Sequence, residues 1–312
     1  MSIVQAAVVQ DAPPQFSTPA TLAKVEQHLR EASKQGAQVV VFPEAFIGGY
    51  PKGMDFGARV GMRSMEGRRD FQRYYDGAVQ VPGPVTGALG KMAAEYHLVM
   101  VIGVIEQTPG TLYCCVLFFG ADGKLMGKRR KVMPTAMERL VWGFGDGSTL
   151  SVFPTPVGRI GAVICWENYM PLMRMAMYGQ DIQLYCACTL DDRETWQPTM
   201  RHIALEGRCY VLSSCQFARR SDFPDWCKPA PSADADPVMI RGGSCIVSPL
   251  GRVIAGPVYD RPAMLMAELD LAEITQGKYD LDVAGHYARP DIFQLTVNTK
   301  PQEAVSLDGP PE

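Results

Sequence analysis

The chain contains 312 residues, of which 47% are hydrophobic and 20% are charged, a composition that is ordinary for a globular enzyme with a large buried core. Its 30 basic and 33 acidic residues give a formal net charge of −3, and no basic stripe carries interleaved aromatic residues, which argues against a nucleic-acid partner. No apolar run approaches the roughly 18 residues of a membrane span, and the N-terminus lacks the basic region and cleavage site of a signal peptide, so we expect a cytoplasmic protein without membrane contacts.

The first half of the chain predicts strands that alternate with helices. Thr18-Pro19 is typical of a helix start, and Gly36 is typical of a helix end. The Asp122-Gly123 turn predicts a hairpin between the strands on either side of it. Residues 39–42 form an apolar run without alternation, which predicts a strand buried on both faces. The predicted strands of this half cover residues 3–9, 39–42, 98–105 and 114–120, and a second predicted helix covers residues 84–96.

The second half of the chain repeats this alternation. Its predicted strands cover residues 150–153, 160–164, 182–186, 210–213, 244–247, 253–254 and 263–268, and its predicted helices cover residues 171–178 and 199–206. Hairpins combined with helical crossovers predict an α/β fold with mixed sheets. Because no Gly- or Ser-rich linker divides the chain, we predict one domain over residues 1–275 and an extended C-terminal tail over residues 276–312.

The nine cysteines and four histidines of the chain predict neither disulfides nor a metal site. An odd number of cysteines without a secretory signal favours free thiols, most of them acting as small buried hydrophobic residues. The histidines lie far apart in the sequence, so we expect no zinc site. Their positions are 28, 97, 202 and 286.

Cys165 is the strongest candidate for a catalytic residue. It directly follows the predicted strand 160–164 and precedes Trp166-Glu167-Asn168, after which a helix is predicted. A strand that turns sharply into a helix presents its corner side chain beside free backbone N–H groups, as in a nucleophile elbow. We expect the helix N-terminus to lower the pKa of the thiol. The alternative is that Cys165 only packs in the core.

Two further residues could assist this thiol. No histidine follows a buried strand, so a cysteine–histidine pair is poorly supported, whereas Glu44 follows strand 39–42 and desolvation there would raise its pKa towards that of a useful base. Lys131 ends the basic run 128–131, and we expect it to turn inward and stabilise negative charge while its three neighbours stay solvated. Each of these two residues could instead belong to a structural ion pair.

Together, these segments resemble the three motifs of the nitrilase (carbon–nitrogen hydrolase) superfamily in order and spacing. The resemblance extends over residues 3–293 and includes further signatures beyond the three motifs. The three motifs are Phe42-Pro43-Glu44, Arg130-Lys131-Val132-Met133-Pro134-Thr135 and Ile164-Cys165-Trp166-Glu167-Asn168. The further signatures are Glu138-Arg139 with Trp142-Gly143, residues 145–148, residues 204–208 and residues 285–291.

The resemblance implies a role for each matched residue. Cys165 would be the nucleophile, Glu44 the general base, and Lys131 the cation that stabilises the tetrahedral intermediate. Glu138 matches an additional glutamate of the family, which orients Lys131 or the substrate. The resemblance also implies a four-layer α-β-β-α sandwich, a homodimer or larger helical homo-oligomer with contacts through the tail, and no metal or organic cofactor.

The stretch Trp166-Glu167-Asn168 resembles the nitrilase branch of the superfamily. The implied reaction is therefore the hydrolysis of a small-molecule nitrile to a carboxylic acid and ammonia. An amidase or carbamoylase of the same superfamily is one alternative, and a non-catalytic scaffold on this fold is another. Four residues are predicted by position to line the substrate pocket, although each could instead be a core residue. They are Trp166, Trp142, Tyr50 and Leu190.

Overall fold

The computed structural model describes residues 3–227, 232, 234–303 and 305. Parts of the predicted domain (residues 1, 2, 228–231 and 233) and of the predicted tail (residues 304 and 306–312) lie outside the described residues. The strands are β1 (Ile3–Gln10), β2 (Val39–Val41), β3 (Val99–Thr108), β4 (Thr111–Phe119), β5 (Leu125–Arg130), β6 (Phe153–Thr155), β7 (Gly158–Ala162), β8 (Leu184–Thr189), β9 (Tyr210–Cys215), β10 (Phe217–Arg219), β11 (Val238–Val247), β12 (Val253–Tyr259) and β13 (Ala263–Asp270). The α-helices are α1 (Thr18–Lys34), α2 (Met65–Asp76), α3 (Pro84–Glu95), α4 (Pro171–Tyr178), α5 (Trp196–Gly207) and α6 (Ala272–Gly277).

The strands form two mixed sheets, one mainly from each half of the chain. The first sheet has the order β13-β1-β2-β3-β4-β5, and β1, β2 and β3 are parallel in it. The second has the order β10-β11-β9-β8-β7-β6, with β12 paired to β11, and β7, β8 and β9 are parallel. The remaining neighbours in both sheets pair antiparallel. The mixed sheets predicted from the alternation of hairpins and crossovers are confirmed.

Three apolar clusters separate four layers. Helices α1 and α3 pack on the outer face of the first sheet, where Leu29 and Leu89 meet Val40. Helices α4 and α5 cover the outer face of the second sheet through residues such as Met177. The third cluster lies between the sheets and joins strand residues of both, including Val101. The α-β-β-α sandwich implied by the family resemblance is therefore confirmed.

Among the differences between the predicted and observed elements, two have a clear physical reason. The predicted strand over residues 150–153 is wrong, because a 3₁₀ turn occupies Gly147–Thr149 and the strand begins only at Phe153. Helix α2 is absent from the sequence prediction. It buries only Gly67 and Tyr74, so its apolar periodicity is too weak to mark a helix.

The basic run at residues 128–131 is not the solvated face that we expected around Lys131. Strand alternation places Lys128 and Arg130 on one side, where both pair with the buried Glu106. Arg129 lies on the other side, fully buried like Lys131, and its Nη2 donates to Glu167 Oε2 at 2.9 Å. Two cations of the run therefore point into the molecule.

The C-terminal tail lies against the body of the protein. In the described residues after α6, no helix or strand is present, and the Gln302 N–H donates to Asp146 Oδ2 at 2.8 Å. Across the described ranges, no helix is long and apolar enough to cross a membrane.

Candidate active site

Three chain segments that follow strands meet between the two sheets. In the first sheet, β5 is two antiparallel steps from β3, and β3 is parallel to β2, so β2 and β5 run in the same direction. Their C-terminal ends share one edge, which brings together Glu44 after β2 and Lys131 after β5. Cys165 follows β7 of the second sheet. The site therefore takes its groups from both sheets.

Lys131 lies between two carboxylates. Its Nζ donates to Glu44 Oε1 at 2.7 Å and to Glu138 Oε2 at 2.8 Å. Glu138 is itself held by the Tyr50 hydroxyl, which donates to Oε1 at 2.8 Å, and by the Thr135 N–H, which donates to Oε2 at 2.6 Å. The ammonium is thus fixed in place by two acceptors, and one of these acceptors is anchored independently.

Glu44 keeps one carboxylate oxygen without a partner. Oε1 accepts from Lys131 and from the Cys114 thiol at 3.4 Å, whereas Oε2 has no hydrogen-bond partner in the described part of the chain. Burial raises the pKa of Glu44 above its ordinary value of 4.5; Lys131 counteracts this effect and Glu138 adds to it. A buried carboxylate with a raised pKa and a free oxygen is suited to accept and return a proton.

Lys131 remains an ammonium in this setting. Burial disfavours its charge, but the negative charge of Glu44, with smaller contributions from Cys165, Cys114 and Glu138, raises the pKa of Lys131 well above its ordinary value of 10.5. One permanent cation beside two carboxylates can stabilise a negative charge that develops on a substrate atom.

Cys165 occupies a strained corner between β7 and a short 3₁₀ turn, Cys165–Tyr169. Its φ of +51° lies in the left-handed region, which non-glycine residues rarely adopt. The side chain is 7% exposed and lines a pocket, and the Thr189 hydroxyl donates to its Sγ at 3.4 Å. Backbone strain of this kind clusters at functional sites, in agreement with the predicted elbow.

The expected low pKa of the Cys165 thiol is wrong. Burial and the negative charge of Glu44 raise the pKa of Cys165 to about 12, and Lys131 and the Thr189 hydroxyl only partly offset them. The segment after Cys165 is a single 3₁₀ turn, and α4 begins only at Pro171, so the helix that was expected to act on the thiol starts six residues after it. The resting thiol is therefore protonated and needs a base.

Asn168 and Glu167 hold the backbone of this corner. Asn168 Nδ2 donates to the Cys165 carbonyl at 2.7 Å and to the Val163 carbonyl at 3.0 Å, and the buried Tyr185 hydroxyl donates to Asn168 Oδ1 at 2.9 Å. The carboxylate of Glu167 accepts from backbone N–H groups on both sides of the site. The strained geometry of Cys165 is thus determined by its buried surroundings.

A pocket of about 210 Å³ opens onto Cys165. Three of the four residues predicted to line it do so, namely Tyr50, Trp166 and Leu190. Trp142 does not: it is 2% exposed and packs behind the pocket, with its ring centroid 5.6 Å from that of Tyr50. A larger cavity of about 790 Å³ between α4 and the tail has no acidic, basic or thiol side chain in its lining, so it offers no comparable chemistry.

The sequence prediction does not include the charged rim of the pocket. Asp191 accepts from Trp166 Nε1 at 2.9 Å and from Arg193 Nε at 2.8 Å, and the Arg193 guanidinium lies 4.8 Å from the centre of the Trp166 ring. Thr189 ends β8 immediately before this rim. Polar residues after a buried strand are the signal that identified Glu44, and the same signal is present here. Among the residues described, no group of three or more His, Cys, Asp or Glu side chains is placed to hold a metal ion.

Residues 5–279 match the family model described as carbon-nitrogen hydrolase. The chain belongs to the carbon–nitrogen hydrolase family. An aliphatic nitrilase of Sinorhizobium fredii (strain HH103) is 56% identical to it over 305 residues, which cover 98% of this chain and 99% of the relative. A bifunctional nitrilase/nitrile hydratase of Lupinus angustifolius is 52% identical over 313 residues, which cover 97% of this chain and 88% of the relative.

Solved structures of the family share the fold. Saccharomyces cerevisiae Nit3, a member of branch 10 of the nitrilase superfamily, superposes with a TM-score of 0.69 at 20% identity, covering 91% of this chain and 96% of its own. An amidase from Nesterenkonia sp. superposes with a TM-score of 0.65 at 18% identity, covering 87% of this chain and 92% of its own. At these identities the likeness concerns the fold alone.

Proposed function

We propose that this protein hydrolyses small organic nitriles to carboxylic acids and ammonia, with Cys165 as the nucleophile. The observation that carries the proposal is the Lys131 ammonium held between Glu44 and Glu138 beside a pocket that contains a strained cysteine. Relatives named as nitrilases, more than half identical over nearly the whole chain, support the choice of a nitrile.

In the first step, Glu44 takes the proton of Cys165 on its unpartnered Oε2. The thiolate adds to the nitrile carbon, and Glu44 returns the proton to the nitrile nitrogen, so that a neutral thioimidate forms. Lys131 and the backbone N–H of Trp166 stabilise the negative charge that develops on the nitrogen. This sequence explains why a thiol with a pKa of about 12 is compatible with catalysis: the proton moves only when the nitrile is in place.

Two water molecules complete the reaction. Glu44 deprotonates the first as it adds to the thioimidate carbon and passes that proton to the nitrogen, which becomes an amine. The hydroxyl proton of the tetrahedral intermediate then also moves to the nitrogen, which leaves as ammonia when the C–N bond breaks. The remaining thioester is attacked by a second water, which releases the carboxylic acid and restores the Cys165 thiol. If the tetrahedral intermediate expels the thiolate before ammonia, the product is an amide.

The dimensions and walls of the pocket support a small substrate. About 210 Å³ of space is bounded by Tyr50, Trp166 and Leu190, which suit a compact organic group. Trp142 contributes indirectly, because its ring packs against Tyr50 and so fixes the residue that binds Glu138. An amidase or carbamoylase activity remains the second candidate, since the same groups could attack an amide carbonyl.

The test is ammonia release from a panel of nitriles and amides. We expect wild-type protein to release ammonia and acid from at least one nitrile, and Cys165→Ala to release none while it remains folded by circular dichroism. The matched control is Cys245→Ala, which removes a buried thiol of the second sheet and should retain activity. Ammonia from amides alone would select the second candidate, and full activity of Cys165→Ala would refute the nucleophile. No ammonia from either class would favour a non-catalytic scaffold.

The proposed assembly is a homodimer or larger helical homo-oligomer, and the proposed compartment is the cytoplasm. Leu172 on α4 and Leu205 on α5 expose apolar surface on neighbouring helices, and a second copy of the chain is the proposed occupant of that face; residues 276–312 are proposed to add contacts. All nine cysteines are free and buried, as is usual where thiols stay reduced.

A further inference from the structure

The carboxylate of Glu167 connects the two halves of the active site. We propose that Glu167 is a positioning residue that fixes Lys131 relative to Cys165, a role that rests on the proposed function of those two residues. Glu167 lies two residues after Cys165 and is buried, but it does not line the pocket.

Each oxygen of Glu167 serves a different side of the site. Oε1 accepts from the Val132 N–H at 2.6 Å and from the Met133 N–H at 3.3 Å. Oε2 accepts from the Ile164 N–H at 3.2 Å and from Arg129 Nη2 at 2.9 Å. The accepted N–H groups belong to the residues immediately after Lys131 and immediately before Cys165.

These contacts join the two sheets at the catalytic residues. Arg129 lies in β5 of the first sheet, and Ile164 follows β7 of the second. The distance from Lys131 to Cys165 is therefore set by one side chain that binds the backbone next to both. A carboxylate is suited to this role because it accepts up to four hydrogen bonds from two directions.

A simpler role for Glu167 would be to neutralise Arg129 or to cap the 3₁₀ turn. Neutralising Arg129 requires only Oε2, and capping requires only the bond from Ile164. Neither role explains why the other oxygen binds the segment that follows Lys131. Because the side chain is fully buried, no water competes for these bonds.

The decisive variant is Glu167→Asp, which keeps the charge but removes one methylene. Aspartate can still pair with Arg129, but it is too short to reach the Val132 and Ile164 N–H groups together. Because a displacement of about 1 Å at a catalytic group can cost about 100-fold in rate, we expect kcat to fall about 100-fold with little change in KM. Glu106→Asp is the matched control, since it shortens a buried carboxylate that pairs with the same strand without contacting the Cys165 corner.

A second experiment measures the reactivity of the Cys165 thiol in the absence of any nitrile. The Lys131 charge lowers the pKa of Cys165, so moving the ammonium away should slow the alkylation of Cys165 by iodoacetamide at a fixed pH, measured by peptide mass spectrometry. If wild-type protein hydrolyses no nitrile while Glu167→Asp slows this alkylation, the proposed function fails and the positioning role stands. Wild-type kcat and an unchanged alkylation profile in folded Glu167→Asp would overturn the inference, as would losses no larger than those of Glu106→Asp.

If Glu167→Asp does not fold, the double variant Arg129→Met/Glu167→Met decides the question. Replacing both members of a buried ion pair with apolar residues of similar size is often tolerated, but it removes all the hydrogen bonds of the carboxylate. We expect this variant to fold and to show the same loss of kcat and slower alkylation. Wild-type values for both would overturn the positioning role.

Discussion

At Lys131, one ammonium serves two carboxylates. If Glu44, Glu138 and Lys131 are all ionised, this buried cluster carries a net charge of −1. The excess negative charge favours the uptake of a proton. Glu44 can accept that proton, because its Oε2 has no hydrogen-bond partner among the described residues. Burial and the negative charge of Glu44 also raise the pKa of Cys165. The protonation of Glu44 and that of Cys165 therefore depend on each other.

Glu138→Gln should move the acidic limb of the kcat/KM–pH profile to lower pH. Activity requires ionised Glu44 and is lost as the pH falls through its raised pKa. The negative charge of Glu138 is one cause of that elevation, so removing it lowers the pKa of Glu44 and extends activity towards acid, even if the maximal rate falls. The measurement is ammonia release across pH for both proteins. A limb that stays in place or moves up would exclude Glu44 as the titrating base.

Lys131→Arg should reduce kcat by about 100-fold or more, the usual cost of losing a group that stabilises the developing charge. The Nζ atom lies 2.7 and 2.8 Å from two carboxylate oxygens in a fully buried site, and a wider planar guanidinium does not fit there. Steady-state kinetics on the best nitrile measures the loss. Lys128→Arg is the control and should remain active, because Lys128 lies in the strand that precedes Lys131 and is partly exposed. Equal activity of both variants would refute the role of Lys131.

At the scale of elements, β3 allows the turn that carries Glu44 to approach closely. A Cβ added at Gly103 would lie 2.2 Å from the Pro43 carbonyl oxygen and 2.7 Å from the Glu44 Cα. Only a residue without a side chain permits this contact, so β3 indirectly determines the position of Glu44, the proposed base.

Gly103→Ala should therefore lower both stability and kcat. Forcing the Glu44 turn outward costs about 1–3 kcal/mol of unfolding free energy and displaces the Glu44 carboxylate. Urea denaturation and steady-state kinetics measure the two effects. Gly87→Ala, in α3 with nothing within 4 Å of the added Cβ, should instead stabilise the protein by about 0.5–1 kcal/mol without affecting kcat. A loss of stability with unchanged kcat would show that the contact with β3 does not determine the position of Glu44.

The sequence predicts the elements that carry the proposed catalytic residues but not the contacts around them. Strand 39–42 and helix 171–178 are confirmed because their apolar patterns are continuous or strongly periodic. The burial of Arg129 could not be predicted, because it depends on a carboxylate 38 positions away. The raised pKa of Cys165 likewise results from burial between sheets, which a local pattern does not contain.

At the scale of the whole molecule, the outer helices α4 and α5 leave apolar side chains uncovered. Leu172 is 66% exposed and Leu205 is 40% exposed. Helix α4 also continues the segment that contains Cys165, since it begins two residues after the 3₁₀ turn ends at Tyr169. Covering this face would stabilise the corner from outside.

Light scattering coupled to size-exclusion chromatography should give a mass at least twice that of one chain. We expect Leu172→Glu/Leu205→Glu to lower the mass, because two charges would be buried against a second copy. Met62→Glu, at a residue of equal exposure (66%) outside these helices, should leave the mass unchanged. A monomeric wild-type protein would refute the proposed assembly. Equal masses for the wild-type protein and both variants would place the interface elsewhere.

The division of the active site between the two sheets has a consequence for how the enzyme comes into being. The segment 143–152 follows Glu44, Lys131 and Glu138 and precedes Cys165. A chain emerging from the ribosome therefore carries the proposed base and cation before it carries the proposed nucleophile. A break in that segment would give two inert fragments, with β13 of the later fragment pairing along β1 of the earlier one. If the two fragments associate, we expect ammonia release to return. The two fragments could therefore serve as a split reporter of the association of two fused proteins.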